Sequence, residues 1–339
     1  MKRLIIHIGA HKTGSSSIQK FFFEYSKYFE ENFGLVYPIN YLVMNIHHLW
    51  GHHYLTWYFN PTKYIKINLD NVKQAFATFL EQISSTERDF LISSEDFTWN
   101  KKIEEFITLV KRFFNEVFVV MYVRRQVEAS ISLYQTGIVN AGFTKNFQEW
   151  FEGTKCIFNY FEIAQRWEKS GVKVIVRPFK RDKLQYGDII LDFLETISLL
   201  LDKKITPPPG YKPNSIRVNT SVPDFICMMI RFYNARPSKN RVVPILRKLG
   251  HELIELFPNL PKTGFVPPSV EKSIVETYKD SNKLLCEKYL GLEYLEWLNE
   301  KITEKDEAHY RRFGYQGSEL VELAKVIIKI VGNLERRKG

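Results

Sequence analysis

Residues 3–24 read RLIIHIGAHKTGSSSIQKFFFE, and their order of strand, glycine turn and serine-started helix decides the fold. Leu4–Ile8 is a short β-rich apolar run with little polar alternation, the pattern of a strand covered on both faces. Gly9 and Gly14 bracket a turn, and Ser15, Ser16 and Ser17 open a segment with an apolar face that runs to Phe29. A glycine-bearing turn after a strand lets backbone N–H groups converge on an anion, and the helix that follows adds the positive end of its dipole. Lys12 adds a full positive charge. A lysine and three hydroxyls at one helix start exceed what capping needs. The plainer alternative is a glycine turn followed by a serine-capped helix.

Working outward, Phe90–Ile92, Val117–Val123 and Val172–Val176 repeat the buried-strand pattern. Helical spacing of apolar residues predicts helices over 71–83, 102–114 and 127–139 between them. Strands alternating with helices give an α/β fold with right-handed crossovers, here a P-loop-like three-layer arrangement about a central parallel sheet. The character changes near residue 205, where ITPPPGYKPNS is a proline-rich linker signal. Beyond it the sequence shows helical periods over 222–233, 243–257, 269–289 and 318–334. The predicted organisation is an α/β core over 1–205 and a helical C-terminal part over 206–339.

The 339 residues include 48 Lys and Arg against 38 Asp and Glu, a formal net charge of +10 that favours a polyanionic ligand or surface. The charge is spread along the chain without a basic arm, so nucleic acid is not the expected partner. Cys156, Cys227 and Cys286 are far apart and odd in number, which suggests neither a disulfide framework nor a zinc cluster and fits a reducing compartment. No run of about 18 apolar residues suggests a transmembrane helix, and the N-terminal run lacks a signal-peptide pattern. The expectation is a cytoplasmic protein. The amphipathic segment 318–339, which ends in basic residues, either packs on the core or lies peripherally on an anionic inner membrane surface.

The loop differs from the nucleotide-hydrolase pattern G-x4-G-K-[ST]: Gly9 and Gly14 have the right separation, but Ser15 stands where that pattern has lysine. The lysine instead lies two residues before the second glycine. A nucleoside-triphosphate site with magnesium is therefore disfavoured. In a second motif the strand VFVVMYV (117–123) runs into RRQVEASISLYQ (124–135). An arginine at the C-terminal end of a parallel strand points into the crevice where α/β folds bind ligands. Guanidinium gives forked, permanently charged hydrogen bonds to phosphate. Ser132 follows Arg124 by eight residues. The plainer alternative is a pair of surface arginines at a sheet edge.

HIGAHKTGSSSIQ (7–19) resembles the opening of sulfotransferases that use 3′-phosphoadenylyl sulfate (PAPS), in particular a bacterial carbohydrate-sulfotransferase-like group. YVRRQVEASISLYQ (122–135) resembles bacterial members, and VRPFKRDKLQYGDIILDFL (176–194) is similar to their fourth-strand region. The resemblance spans most of the first 200 residues. It implies sulfuryl transfer from PAPS to a hydroxyl, with a carbohydrate or glycolipid as acceptor and no metal, and a C-terminal part over 206–339 that completes the acceptor site. Lys12 would stabilise the leaving group; Lys12, Thr13, Gly14, Ser15, Ser16 and Ser17 would hold the 5′-phosphosulfate; Arg124 and Ser132 would hold the 3′-phosphate. Val127 departs from the Arg-[Asn/Gln]-Pro form of animal enzymes, which leaves Arg124 and Arg125 both open, with spacing favouring Arg124.

The general base has several candidates. Glu95 follows a strand in FLISSEDF (90–97), at the sheet end that carries the loop, and a desolvated carboxylate with a raised pKa can take a proton. Asp96 is its neighbour. The competitor is NIHHLWGHHY (45–54), where His48 and His52 would share a helix face as acceptor-site contacts. Packing and metal binding are the other readings of that cluster, and no HExxH or CxxC ligand set accompanies it. Trp50, Trp57 and Tyr58 would suit stacking on a sugar. Two functional alternatives stand beside sulfuryl transfer: a kinase-like phosphotransferase on the same scaffold, and a non-catalytic module that binds nucleotide or membrane.

Overall fold

A computed structural model describes residues 1–40, 50–61, 68–216, 223–236, 239–256 and 266–300. Five parallel strands form one sheet: β1 (Arg3–His7), β2 (Leu35–Val36), β3 (Asp89–Ser93), β4 (Glu116–Val123) and β5 (Lys173–Pro178). The spatial order is β2-β3-β1-β4-β5. The register sets Leu4 opposite both Phe90 and Val117, and Val119 opposite Val174. Leu4, Ile5, Ile6, Phe90, Leu91, Ile92 and Val119–Val123 are fully buried. Both faces of the strands are therefore covered, which explains runs without polar alternation. The α/β class with a central parallel sheet is as the sequence predicts. β2 is new; with two residues it leaves no periodic signal.

The chain divides into two compact units. The first comprises residues 1–124, 159–218 and 281–295, and the second 125–158, 219–280 and 296–339. In the first unit the sheet is flanked by α1 (Ser15–Glu24), α2 (Ser26–Phe33), α3 (His53–Phe59), α4 (Leu69–Ser84) and α5 (Ile103–Val110). The second begins with α6 (Gln126–Ala141) and α7 (Phe147–Thr154). The first unit then resumes with α8 (Tyr160–Lys169) and α9 (Ile189–Leu200). The remaining helices are α10 (Asp224–Asn234), α11 (Lys239–Leu256) and α12 (Pro268–Leu285).

One face of the sheet is covered by α1, α2 and α9, where Ile18, Phe21, Phe22 and Phe29 meet Phe193, Leu194 and Ile197 beneath Ile5, Leu91, Val120 and Tyr122. Burying each such aromatic or branched side chain is worth about 1.5–3 kcal/mol. Asn68 caps α4 and Asp188 caps α9 through backbone N–H groups of the first turn. Asp188 Oδ2 also accepts a hydrogen bond from Tyr211 Oη (3.0 Å), and Ile205 enters the same core, so the proline-bearing stretch 205–216 packs within the first unit. The expected single helix over 15–29 breaks at Tyr25, whose backbone (φ −110°, ψ 19°) leaves helical geometry between α1 and α2. In the second unit Asn146 and Glu149 form a capping box on α7. Asn234 Nδ2 donates to Ile138 O (2.8 Å), tying α10 to α6.

Candidate functional site

The first unit places its chemistry at the C-terminal edge of β1, β3 and β4. The connection after β1 leaves toward the β2 side of the sheet, whereas the one after β4 leaves toward β5. Such a reversal opens the crevice in which α/β folds bind ligands. The loop after β1 is anchored by Ile8 N–H to Val120 O (3.0 Å) and Ala10 N–H to Tyr122 O (3.1 Å). Thr13 is buried and its hydroxyl donates to Ala10 O (2.6 Å), so this side chain stiffens the loop. Gly9, Lys12 and Gly14 all have positive φ (35°, 69° and 84°). Left-handed geometry is costly for lysine and free for glycine.

Gly14 is the N-cap of α1 and supplies no side-chain cap; Ser17 N–H donates to Gly14 O (3.0 Å), and the amides of Ser15 and Ser16 precede any intrahelical acceptor. The Ser15 hydroxyl is buried and has no hydrogen-bond partner among the described residues. A Cβ on Gly9 would fall 2.2 Å from that oxygen, so glycine is what leaves room for it. Ser17 is buried and Ser16 half-buried. The Lys12 ammonium is half-buried and makes no hydrogen bond or ion pair among the described residues. Burial lowers its pKa; the charge of Glu95 opposes that shift and the charge of Arg124 adds to it. A buried polar group without a partner is costly. Ser15 is such a group, the half-buried Lys12 ammonium stands close by in the same loop, and both suit an anion.

Arg124 ends β4 and donates from Nη1 to Lys12 O (3.3 Å), with its guanidinium 6.0 Å from the centre of the Phe179 ring. That hydrogen bond joins the second motif to the loop. Arg125 begins the second unit, where it is paired with Glu128 and with Glu300 (2.9 Å). Of the two arginines, Arg124 is the one at the loop. Ser132 lies in the second unit on α6, half-buried, with its carbonyl accepting from Thr136 Oγ1 (3.0 Å).

After β3, Ser94 N–H donates to His7 O (3.0 Å), which holds the short 3-10 turn Glu95–Thr98 beside the loop. Glu95 Oε2 accepts from Gln19 Nε2 (2.8 Å) and stands 4.0 Å from His53 Nε2. Asp96 Oδ2 accepts from Trp57 Nε1 (2.8 Å) and lies 3.3 Å from His53 Nδ1. The sequence leads to the expectation of a raised Glu95 pKa. Burial does push it up, but the positive surroundings, the charge of His53 foremost, and the Gln19 hydrogen bond outweigh it, so the net shift is downward. Glu95 is therefore ionised at neutral pH. Its side chain is 23% exposed, and no protein group among the described residues hydrogen-bonds Oε1.

The histidines divide by their hydrogen bonds. His52 is fully buried; Nδ1 accepts from Ser93 N–H (3.0 Å), and Nε2 donates to Pro38 O (2.8 Å). Burial lowers its pKa to about 4. Both ring nitrogens are committed to the fold, so His52 offers nothing to an acceptor. Residue 48 lies outside the described residues, as does the segment 318–334. His11 accepts from Trp99 Nε1 on Nε2 (2.6 Å), which leaves its Nδ1 to carry the proton of the neutral ring. Trp57 stacks on His53 and is buried, so it supports the site from behind. His53 is the member of the cluster that reaches the carboxylates. Helical spacing picks out His52, but helix α3 starts only at His53. Among the described residues, no group of three or more His, Cys, Asp or Glu is arranged to hold a metal ion, and no helix is long and apolar enough to cross a membrane.

No protein-family model and no curated protein sequence matches the chain. Among solved structures, a sulfotransferase from Alicyclobacillus acidocaldarius aligns at 12% identity and a TM-score of 0.41, over 74% of this chain and 94% of that one. A chain from the PezAT chromosomal toxin–antitoxin system of Streptococcus pneumoniae aligns at 13% identity and a TM-score of 0.33, over 54% of this chain and 69% of that one. Both overlaps are too low to define a shared fold, and neither decides the chemistry.

Proposed function

We propose that the first unit is a PAPS-dependent sulfotransferase core that moves a sulfuryl group to a hydroxyl, with a carbohydrate or glycolipid as acceptor. The observation that carries this is the convergence of an unpaired Lys12 ammonium, an orphaned Ser15 hydroxyl and Arg124 on one loop, with ionised Glu95 beside them. A 5′-phosphosulfate satisfies the amides and hydroxyls at the start of α1 and the charge of Lys12 together. In the transfer the acceptor oxygen forms a bond to sulfur. The bond from sulfur to the bridging phosphate oxygen breaks, and its electron pair stays on the leaving phosphate. Lys12 neutralises that growing charge. The acceptor proton passes to the open Oε1 of Glu95. Ser15 in place of the hydrolase lysine argues against a nucleoside triphosphate with magnesium. The proposed part of Ser132 in holding the 3′-phosphate rests on its sequence spacing from Arg124.

Calorimetric titration with adenosine 3′,5′-bisphosphate, beside ATP with and without magnesium, tests the donor site. The expected result is binding of the bisphosphate in preference to ATP and without metal. Preference for ATP with magnesium, or binding of neither, overturns the assignment. Arg124→Ala is expected to weaken the bisphosphate by about 10- to 100-fold, the worth of charged hydrogen bonds to one phosphate. Adenosine 5′-monophosphate should lose far less. Equal losses for both nucleotides would move the 3′-phosphate contact to another residue.

A further inference from the structure

His53 is buried, with a side-chain exposure of 6%, yet it stands between two carboxylates. Its Nδ1 lies 2.9 Å from Ser94 Oγ and 3.3 Å from Asp96 Oδ2, so one N–H there is shared between them. Its Nε2 is buried without a hydrogen-bond partner among the described residues and lies 4.0 Å from Glu95 Oε2. In a neutral ring with the proton on Nδ1, the Nε2 lone pair would be buried facing a carboxylate. A proton on Nε2 turns that contact into an ion pair. Trp57 braces the arrangement by stacking on the ring (centroids 5.7 Å apart, interplanar angle 21°) while donating to Asp96.

We propose that His53 is the positioning residue of this site, an imidazolium anchored by Asp96 that draws Oε2 of Glu95 toward itself and leaves Oε1 to the acceptor. The catalytic use of this ion pair rests on the sulfuryl-transfer reading, but the ion pair itself does not. The groups facing it are Asp96, Glu95 and Ser94 from the turn after β3, His52 from its own segment, and His11 from the loop after β1. Lys12 and Gln19 face Glu95 from the other side. Burial lowers the His53 pKa, but the charge and hydrogen bond of Asp96, with the charge of Glu95, raise it to about 9. Because the folded-state value is raised, the pair's contribution to stability is full below the ordinary histidine range and is lost as pH rises through about 9.

The experiment is an NMR titration of the full chain carrying 15N-histidine, without nucleotide. His53 should titrate near 9 in the unsubstituted chain. Asp96→Asn should lower that midpoint most, and Glu95→Gln should lower it less. A midpoint at or below the ordinary histidine value, or one unmoved in both variants, overturns the proposal. Neither variant removes His53, so the test stands even if His53→Gln fails to fold. Where His53→Gln does fold, the acidic limb of the pH profile of transfer should move to higher pH, because Glu95 has lost a cation. An unmoved limb overturns the positioning role. Failure of nucleotide binding with a normal His53 titration would instead sink the sulfotransferase reading and leave the ion pair in place.

Discussion

Lys12→Ala should cut the rate of sulfuryl transfer by about 100- to 1,000-fold, the loss typical when one preorganised group that neutralises transition-state charge is removed. The affinity for adenosine 3′,5′-bisphosphate should fall by less than tenfold, because Ser15, the amides of α1 and Arg124 remain. The leaving phosphate gains charge as the bond to sulfur breaks, so an ammonium beside it contributes more in the transition state than in the ground state. The readings are single-turnover transfer from the donor to a sugar hydroxyl or to water, beside calorimetry of the bisphosphate. Normal turnover would sink the role of Lys12. A loss of affinity as large as the loss of rate would make it a binding contact only. The group must be protonated to act. Burial lowers its pKa, so transfer should decline on the alkaline side earlier than for an ordinary lysine. A decline set by an unperturbed lysine would place the group in water.

How much of this site is legible in the sequence depends on how local each part is. The anion loop is readable because strand, turn and helix start are contiguous, and each step has its own residue signature from Leu4 to Ser17. Glu95 and Arg124 are readable for the same reason: each follows a buried apolar run, and the ends of parallel strands in one sheet lie along one edge. His53 is different. It reaches Glu95 because His52 N–H donates to Ser93 O (2.7 Å), which fastens the start of α3 to the end of β3. No periodicity announces that bond across 41 residues, and helical spacing assigned to 45–54 selects His48 and His52. The pairing of His11 with Trp99, 88 residues apart, is likewise invisible before folding. The break at Tyr25 escapes because Phe21, Phe22 and Phe29 keep one apolar face across it. The sign of the Glu95 shift escapes as well, since it depends on which cations burial places beside the carboxylate.

Gly9→Ala should weaken nucleotide binding by about 10- to 100-fold, the worth of one hydrogen bond to a charged group, while leaving a folded chain of lower stability. The new Cβ would stand 2.2 Å from Ser15 Oγ and 3.3 Å from His7 Nε2, on a backbone with φ of 35°. Two separable effects follow. The left-handed backbone costs an L-residue about 1–2 kcal/mol whatever surrounds it. The clash with Ser15 is relieved only if the hydroxyl turns away, and that removes a donor from the place where the 5′-phosphosulfate is proposed to sit. The melting temperature should therefore drop by several degrees, and calorimetry should show the bisphosphate bound more weakly by that factor. The double variant Gly9→Ala with Ser15→Ala separates the terms. Removing the hydroxyl should recover the part of the stability lost to the clash, leave the part due to φ, and leave the affinity as low as in Gly9→Ala. A Gly9→Ala chain with unchanged melting and unchanged affinity would show that the loop is not the cradle. Recovery of binding in the double variant would show that Ser15 obstructs the anion rather than holding it.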